Sequence, residues 1–166
     1  LDYVPDELIV YENGSYRQDT TVDMQPSSSL TMSEIITPGW SPSGETFTYT
    51  ELRMRTEIRV CSELFAIDQL RILPAEESVT GIGFMEGFTH IGQLIFVSRM
   101  VAQPAVDDAL AELVRTSDTH SGLTHAGRPL PLINDAPVCL VIRSLAHSTE
   151  AIARLHEQAT DIVKDA

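Results

Sequence analysis

The chain has 166 residues, of which 43% are apolar, enough for one hydrophobic core and too few for two full domains. Its 24 acidic residues outnumber its 11 basic residues and give a net charge of −13. This charge repels phosphate backbones and anionic lipids, so it argues against nucleic acid and membrane surfaces as partners. No apolar run approaches the roughly 18 residues that a membrane-spanning helix needs.

The two cysteines, Cys61 and Cys139, lie far apart in the sequence. No CxxC pair and no series of cysteines and histidines accompanies them. The sequence therefore predicts neither a disulfide framework nor a structural zinc site, and it favours a reducing, cytoplasmic location.

Strand signals dominate the first 101 residues. Between Glu51 and Val60 apolar and charged residues alternate strictly, which predicts a half-buried strand with a charged outer face. Phe47 and Tyr49 have the opposite parity, so we expect a bulge or bend near Thr50. Turn residues separate five further predicted strands, at 7–11, 16–24, 29–37, 64–73 and 90–101.

Helical spacing appears twice, both times late in the chain. Pro104 opens an apolar pattern that predicts a helix over 104–116, and Ser148 is the expected N-cap of a second helix over about 148–164. Between them we expect a polar loop over 117–131 and a buried strand over about 138–143. The sequence therefore predicts one mainly β domain over 1–166 with two late helices, of the α+β class, and no doubly wound sheet.

Motifs for catalysis are weak. The glycines between Gly81 and Gly87 miss the dinucleotide-binding spacing and no helix pattern follows them. None of the five histidines forms an HxH or HxxxH pair, so the sequence predicts no tight, preformed metal site. No nucleophile motif is present.

Three carboxylates are candidates for a site. Glu45 follows Gly44 at a strand start, so either its carboxylate points inward or Gly44 only provides a turn with positive φ and Glu45 is solvated. Glu34 and Asp68 interrupt apolar strands, where a carboxylate is more often paired with an arginine than functional.

Several short motifs follow one another along the chain. They are Tyr3-Val4-Pro5-Asp6-Glu7-Leu8-Ile9, Tyr16-Arg17-Gln18, Glu34-Ile35-Ile36-Thr37-Pro38-Gly39-Trp40, Gly44-Glu45-Thr46-Phe47, Arg59 to Leu73 with Asp68, Leu70 and Pro74, Met85 to Gly92, and Val141 to Ile152. In this order they resemble the urease accessory protein UreD family, called UreH in some bacteria. Trp40 stands where many family members have arginine, which puts a role for an arginine there in doubt.

The resemblance covers the whole chain but implies more protein than is present here. Full family members carry a further β-rich N-terminal portion, and this chain begins at Leu1, so it resembles the C-terminal part of a member. A sheet that lacks its neighbours exposes strand edges. We therefore expect self-association or aggregation of the isolated chain, and a clean monomer in light scattering at high concentration would contradict this.

The resemblance also implies a function. Family members act as stacked, twisted β-sheet scaffolds in urease maturation, without catalysis. They bind apo-urease and the partner UreF, the GTPase UreG docks on UreF, and nickel passes through an internal tunnel. On this basis the nickel path is expected to include Glu45, Glu34 and Asp68 as inward carboxylates, with His90 as an addition, and Gly39 and Gly44 as structural residues. No tightly bound cofactor is expected, only transient nickel.

Two alternatives remain at this stage. One is a small metal-dependent enzyme on a β-sandwich or barrel, with His120 and His125 as ligands. The other is a β-rich binding module unrelated to urease. The late helices, with Leu110, Leu113, Ile152 and Leu155, either form a partner surface or pack on the sheet; an apolar helical stripe favours packing.

Overall fold

A computed structural model describes all 166 residues and confirms a mainly β protein with two late helices. Three layers build it: a three-stranded sheet, a five-stranded sheet, and the helices. The strands are β1 (Asp2–Tyr3), β2 (Ser15–Met24), β3 (Leu30–Ile36), β4 (Glu51–Val60), β5 (Glu63–Ile72), β6 (His90–Ser98), β7 (His120–Ala126) and β8 (Val138–Ala146), and the α-helices are α1 (Pro104–Thr116) and α2 (Thr149–Lys164).

The five-stranded sheet has the order β1-β3-β6-β8-β7, and the three-stranded sheet has the order β2-β4-β5. The pairs β1–β3 and β2–β4 are parallel, and all other pairs are antiparallel. The β4–β5 hairpin turns through Cys61 and Ser62, both with positive φ, as the right-handed twist of a tight hairpin requires. The chain bends at Tyr49 and Thr50, where the change of parity predicts it.

The helices cover the outer face of the five-stranded sheet. Pro104 is the first residue of α1, and the Ser148 side chain accepts a hydrogen bond from the Ala151 amide at the start of α2. Their apolar stripes join the sheet in one cluster, so the alternative that these residues form an exposed partner surface is wrong. The buried members include Leu94, Phe96, Leu110, Leu140, Ile142 and Leu155.

Gly92 on β6 explains the close approach of α2. A Cβ atom at this position would lie 2.3 Å from Ile152 Cγ2 and 3.0 Å from His156 Nε2. Only a residue without a side chain lets the helix pack this closely.

No helix of the chain is long and apolar enough to cross a bilayer.

Several predicted boundaries are wrong. The strand predicted over 90–101 ends at Ser98, and a short 3-10 helix (Met100–Ala102) follows it. The segment 7–11 forms only two isolated bridges, Leu8 to Ile36 and Tyr11 to Trp40. Half of the predicted loop 117–131 is strand β7, which is polar because it is an exposed edge strand.

Candidate polar site between the sheets

A band of polar side chains crosses the space between the two sheets. Strand alternation places them on the facing sides, because each shares the parity of residues in the apolar core between the sheets. We call this band the polar layer; it consists of Gln18, Thr20, Glu34, Thr56, Asp68, Gln93 and Arg143.

Strand register aligns the members of the polar layer. In the five-stranded sheet, Glu34 is opposite Gln93 and Gln93 is opposite Arg143. In the three-stranded sheet, Thr20 is opposite Thr56 and Thr56 is opposite Asp68. Each sheet therefore presents a polar row across three neighbouring strands.

The polar layer divides the apolar core into two clusters. One cluster contains Met32 on β3 and Ile58 on β4, and the other contains Ile36 and Leu52 on the same two strands. Burying polar groups in a core costs free energy unless they find partners. A band that interrupts an otherwise apolar core at matching positions on six strands is therefore the most unusual feature of this fold.

Two contacts tie the sheets together through the polar layer. At one end, Gln18 Nε2 donates to Glu34 Oε1 at 2.6 Å and also contacts Thr20 Oγ1 at 3.2 Å. At the other end, Arg143 forms an ion pair with Asp68. Between these contacts lie Thr56 and Gln93, which are 3% and 8% exposed.

Glu34 is the most deeply buried carboxylate of the polar layer, with 5% of its surface exposed. Burial raises the pKa of its carboxyl group, and the hydrogen bond from Gln18 opposes this rise. No arginine pairs with Glu34, so the arginine expected beside such a carboxylate is found for Asp68 and not here. Glu34 therefore presents an oxygen that is not committed to a fixed cation.

A cavity lies at each end of the polar layer. The cavity of about 160 Å³ is lined by Gln18 and Glu34 together with residues of the segment 3–9. The cavity of about 270 Å³ is lined by Thr56, Asp68 and Arg143. The two cavities share no lining residue, and the polar layer spans the core between them.

Of the four residues predicted for a metal path, Glu34 and Asp68 lie in the polar layer. Glu45 is exposed, so the prediction of an inward carboxylate is wrong and the solvated alternative describes it. The reason is the turn before it: Gly44 has φ of 78°, and Ser43 Oγ holds the Glu45 carboxylate at 3.3 Å on the surface.

Gly39, which was expected to be a structural residue, has φ of 85°, a backbone conformation that favours glycine. A Cβ atom at this position would also lie only 2.6 Å from the Val10 carbonyl oxygen, so a side chain would not fit.

His90 lies on the opposite face of β6 from Gln93, on the side that faces the helices. Its Nδ1 is 2.8 Å from Thr89 Oγ1, and burial lowers its pKa. The prediction that it belongs with Glu34 and Asp68 is therefore wrong, because an odd number of residues along a strand changes the face.

His120 and His125 also lie on opposite faces of one strand, β7. His120 stacks on Phe88 with ring centroids 5.7 Å apart, whereas His125 Nε2 is 3.1 Å from Asp107 Oδ1 on α1. They cannot bind one ion together, which contradicts the alternative of a metal-dependent enzyme built on this pair. No group of three or more histidine, cysteine or acidic side chains is arranged to hold a metal ion.

Sequence reasoning about the site missed the other five members of the polar layer, which are Gln18, Thr20, Thr56, Gln93 and Arg143. Gln93 and Arg143 interrupt apolar strands just as Glu34 does, and this signal was available for them. The sequence could not show which polar residues meet across the two sheets, because partners such as Asp68 and Arg143 are 75 residues apart in the chain.

The fold and site define a two-sheet β protein with helices on one side and a polar layer between the sheets. The family model described as "UreD urease accessory protein" matches residues 1–166. The chain therefore belongs to the UreD family of urease accessory proteins, which overturns the alternative of a binding module unrelated to urease.

Curated relatives agree with this family. The chain is 40% identical to a urease accessory protein UreD of Kocuria rhizophila over 216 residues, covering 97% of this chain and 57% of the relative. It is 42% identical to that of Arthrobacter sp., covering 99% of this chain and 56% of the relative, and 32% identical to that of Actinomyces naeslundii, covering 99% and 57%. The chain thus spans a little over half the length of these relatives.

Proposed function

We propose that this chain serves as a non-catalytic, cytoplasmic scaffold in urease maturation. In this proposal it binds apo-urease and UreF, UreG joins through UreF, and nickel crosses the chain along the polar layer on its way to urease. Nickel is cargo here: it is held transiently and is not a resident cofactor.

The observation that carries this proposal is the polar layer itself. It lies between two cavities in a core that is otherwise apolar, and it places carboxylate, amide and hydroxyl oxygens in sequence along that line. Nickel accepts oxygen ligands as well as imidazole. A path for an ion needs several weak positions, because a tight cage would stop transfer.

Charge supports the same interpretation. Glu34 and Asp68 place one carboxylate at each end of the polar layer, and Arg143 balances the charge of Asp68, so the uncompensated negative charge lies at Glu34. The net charge of −13 attracts divalent cations to the surface. Glu34 has no fixed cationic partner, so a passing cation can approach its carboxylate.

The test is a double substitution, Glu34→Gln with Asp68→Asn, in the gene encoding this chain. Both changes remove charge and keep the size and the hydrogen-bond acceptor of each side chain. The gene is expressed with the urease subunits, UreF and UreG in a host without its own UreD, under limiting nickel. We expect nickel per urease, measured by mass spectrometry, to fall on the order of tenfold, while UreF and apo-urease still co-purify with the chain.

The matched control is Glu45→Gln, which removes the same charge from an exposed turn. It should leave nickel per urease unchanged. Normal nickel content in the double variant, at normal expression, would reject the polar layer as the path. If the wild-type chain does not bind UreF and apo-urease, that result would reject the scaffold role instead.

A further inference from the structure

The outer face of the three-stranded sheet carries more arginines than carboxylates, unlike the chain as a whole. It points away from the five-stranded sheet and carries five arginines and four carboxylates, in a chain whose net charge is −13. We call it the arginine face; its charged residues are Arg17, Arg53, Arg55, Arg59, Arg71, Asp19, Asp23, Glu51 and Glu57.

Three arginines stand side by side at its centre. Arg17 on β2 is in register with Arg53 on β4, and Arg53 is in register with Arg71 on β5. Neighbouring strands lie about 4.8 Å apart, so three like charges form one row across the whole sheet. Like charges at directly opposed positions destabilise a sheet, so this row costs the isolated chain stability.

Arg53 is the unsatisfied member of the row. Arg17 Nε is 2.7 Å from Asp19 Oδ2, and Arg71 Nε is 3.1 Å from Glu51 Oε1. Arg53 has no ion pair, and its Nε is buried without a hydrogen-bond acceptor. A buried donor without an acceptor is costly. A carboxylate placed over the guanidinium of Arg53 would add a charge-assisted hydrogen bond and offset the repulsion in the row.

We propose that the arginine face is a docking surface for a protein partner that presents a row of carboxylates, with Arg53 as the central anchor. Arginine is enriched among the residues that dominate binding energy at protein interfaces. The planar guanidinium also suits two-point recognition of a carboxylate. This inference does not depend on the polar layer, which lies on the other side of the same sheet.

The pattern of charges selects a protein partner and not a polyphosphate chain. Four carboxylates surround the row and would repel a continuous line of phosphates, and so would the remaining charge of the chain. A folded protein surface can place carboxylates opposite the arginine row and neutral or basic groups opposite Glu51 and Glu57. Complementarity of this kind gives specificity.

The binding test uses the 166-residue chain and a defined probe. The probe is a fluorescent helical peptide with glutamates at i, i+4 and i+8, which spaces carboxylates about 6 Å apart along one face. A peptide with glutamine at the same positions is its counterpart. Binding is measured by fluorescence anisotropy at low salt and again at about 150 mM salt, because screening weakens exposed ion pairs.

The variant combines Arg17→Gln, Arg53→Gln and Arg71→Gln. Its matched control combines Arg99→Gln, Arg115→Gln and Arg154→Gln, which removes the same number of charges from exposed, ion-paired arginines elsewhere. We expect the glutamate peptide to bind the wild-type chain and the control equally, and the variant at least about tenfold more weakly. The glutamine peptide should bind none of them.

Equal weakening in the variant and the control would overturn the proposal, because it would show an effect of net charge alone. Absence of binding to the wild-type chain would also overturn it, and so would displacement of the peptide by inorganic polyphosphate at equal charge. Thermal unfolding checks that the variant is folded. Because it removes like charges, its melting temperature should be at or above that of the control. Arg53→Gln alone is the second variant and should weaken binding in the same direction.

Discussion

The two faces of the five-stranded sheet are built from the same strands and bury polar groups differently. Toward the helices, the apolar cluster is continuous. The polar side chains buried on this face are hydroxyls such as Ser144 and one histidine, His156, whose Nδ1 is 2.8 Å from Ser33 Oγ. Toward the other sheet, a polar layer divides the core and ends at cavities on both sides. The helix face buries only uncharged polar groups, whereas the inner face buries the carboxylate of Glu34, at an energetic cost that packing does not explain.

His156 provides the largest expected effect on the helix face. It is 4% exposed, its Nε2 has no partner, and burial lowers its pKa from 6.5 to about 4. The unfolded chain therefore takes up this proton at a higher pH than the folded chain does. The stabilisation from a neutral His156 is complete above about pH 6.5 and is lost as the pH falls toward 4, by up to about 3 kcal/mol.

The measurement is the free energy of unfolding by denaturant at several pH values between 4 and 7. His156→Gln should flatten the decline seen in the wild-type chain, because glutamine carries no titrating proton. His147→Gln changes an exposed histidine and serves as the control, with a decline like that of the wild type. Parallel declines for the wild type and His156→Gln would show that other groups cause the acid sensitivity.

The close contact between α2 and β6 gives the second prediction. Gly92→Ala would place a Cβ atom 2.3 Å from Ile152 Cγ2, so the helix has to move away from the sheet. Overpacking of this kind costs about 1–3 kcal/mol of unfolding free energy. Gly122→Ala on β7 is a matched control, since nothing lies within 4 Å of a Cβ atom there, and it should change stability little. Similar losses in both variants would contradict this account of the helix contact.

The sequence predicted the elements more reliably than their faces and partners. Strict alternation located β4, and Pro104 and Ser148 located the helix starts, because these signals are local. Strand β7 was missed because Leu123 is its one large apolar residue and its polar side chains resemble a loop. An edge strand has few neighbours to require apolar residues.

For the site, the sequence identified polar interruptions and could not place them relative to each other. Glu34 and Asp68 were found because a carboxylate in an apolar strand is unusual. His90 was grouped with them although it lies three residues before Gln93 and therefore on the other face of the same strand. Glu45 was misplaced because a turn, unlike a strand, sets no alternation that would fix its direction.

Glu34 provides the smallest expected effect and the opposite response to acid. Burial raises the pKa of Glu34 above its ordinary value of 4.5, so its charged form costs stability at neutral pH, and the cost disappears as the pH falls through the raised pKa. Glu34→Gln keeps the acceptor for Gln18 and removes the charge, so we expect added stability at pH 7 that disappears toward pH 4. Glu45→Gln, at an exposed position, should change neither value. A gain in stability from Glu34→Gln, together with less nickel in urease, would mean that the inner face keeps a destabilising charge because an ion has to pass it. A loss of stability would instead mean that Glu34 stabilises the fold, as His156 and Ser33 do on the helix face.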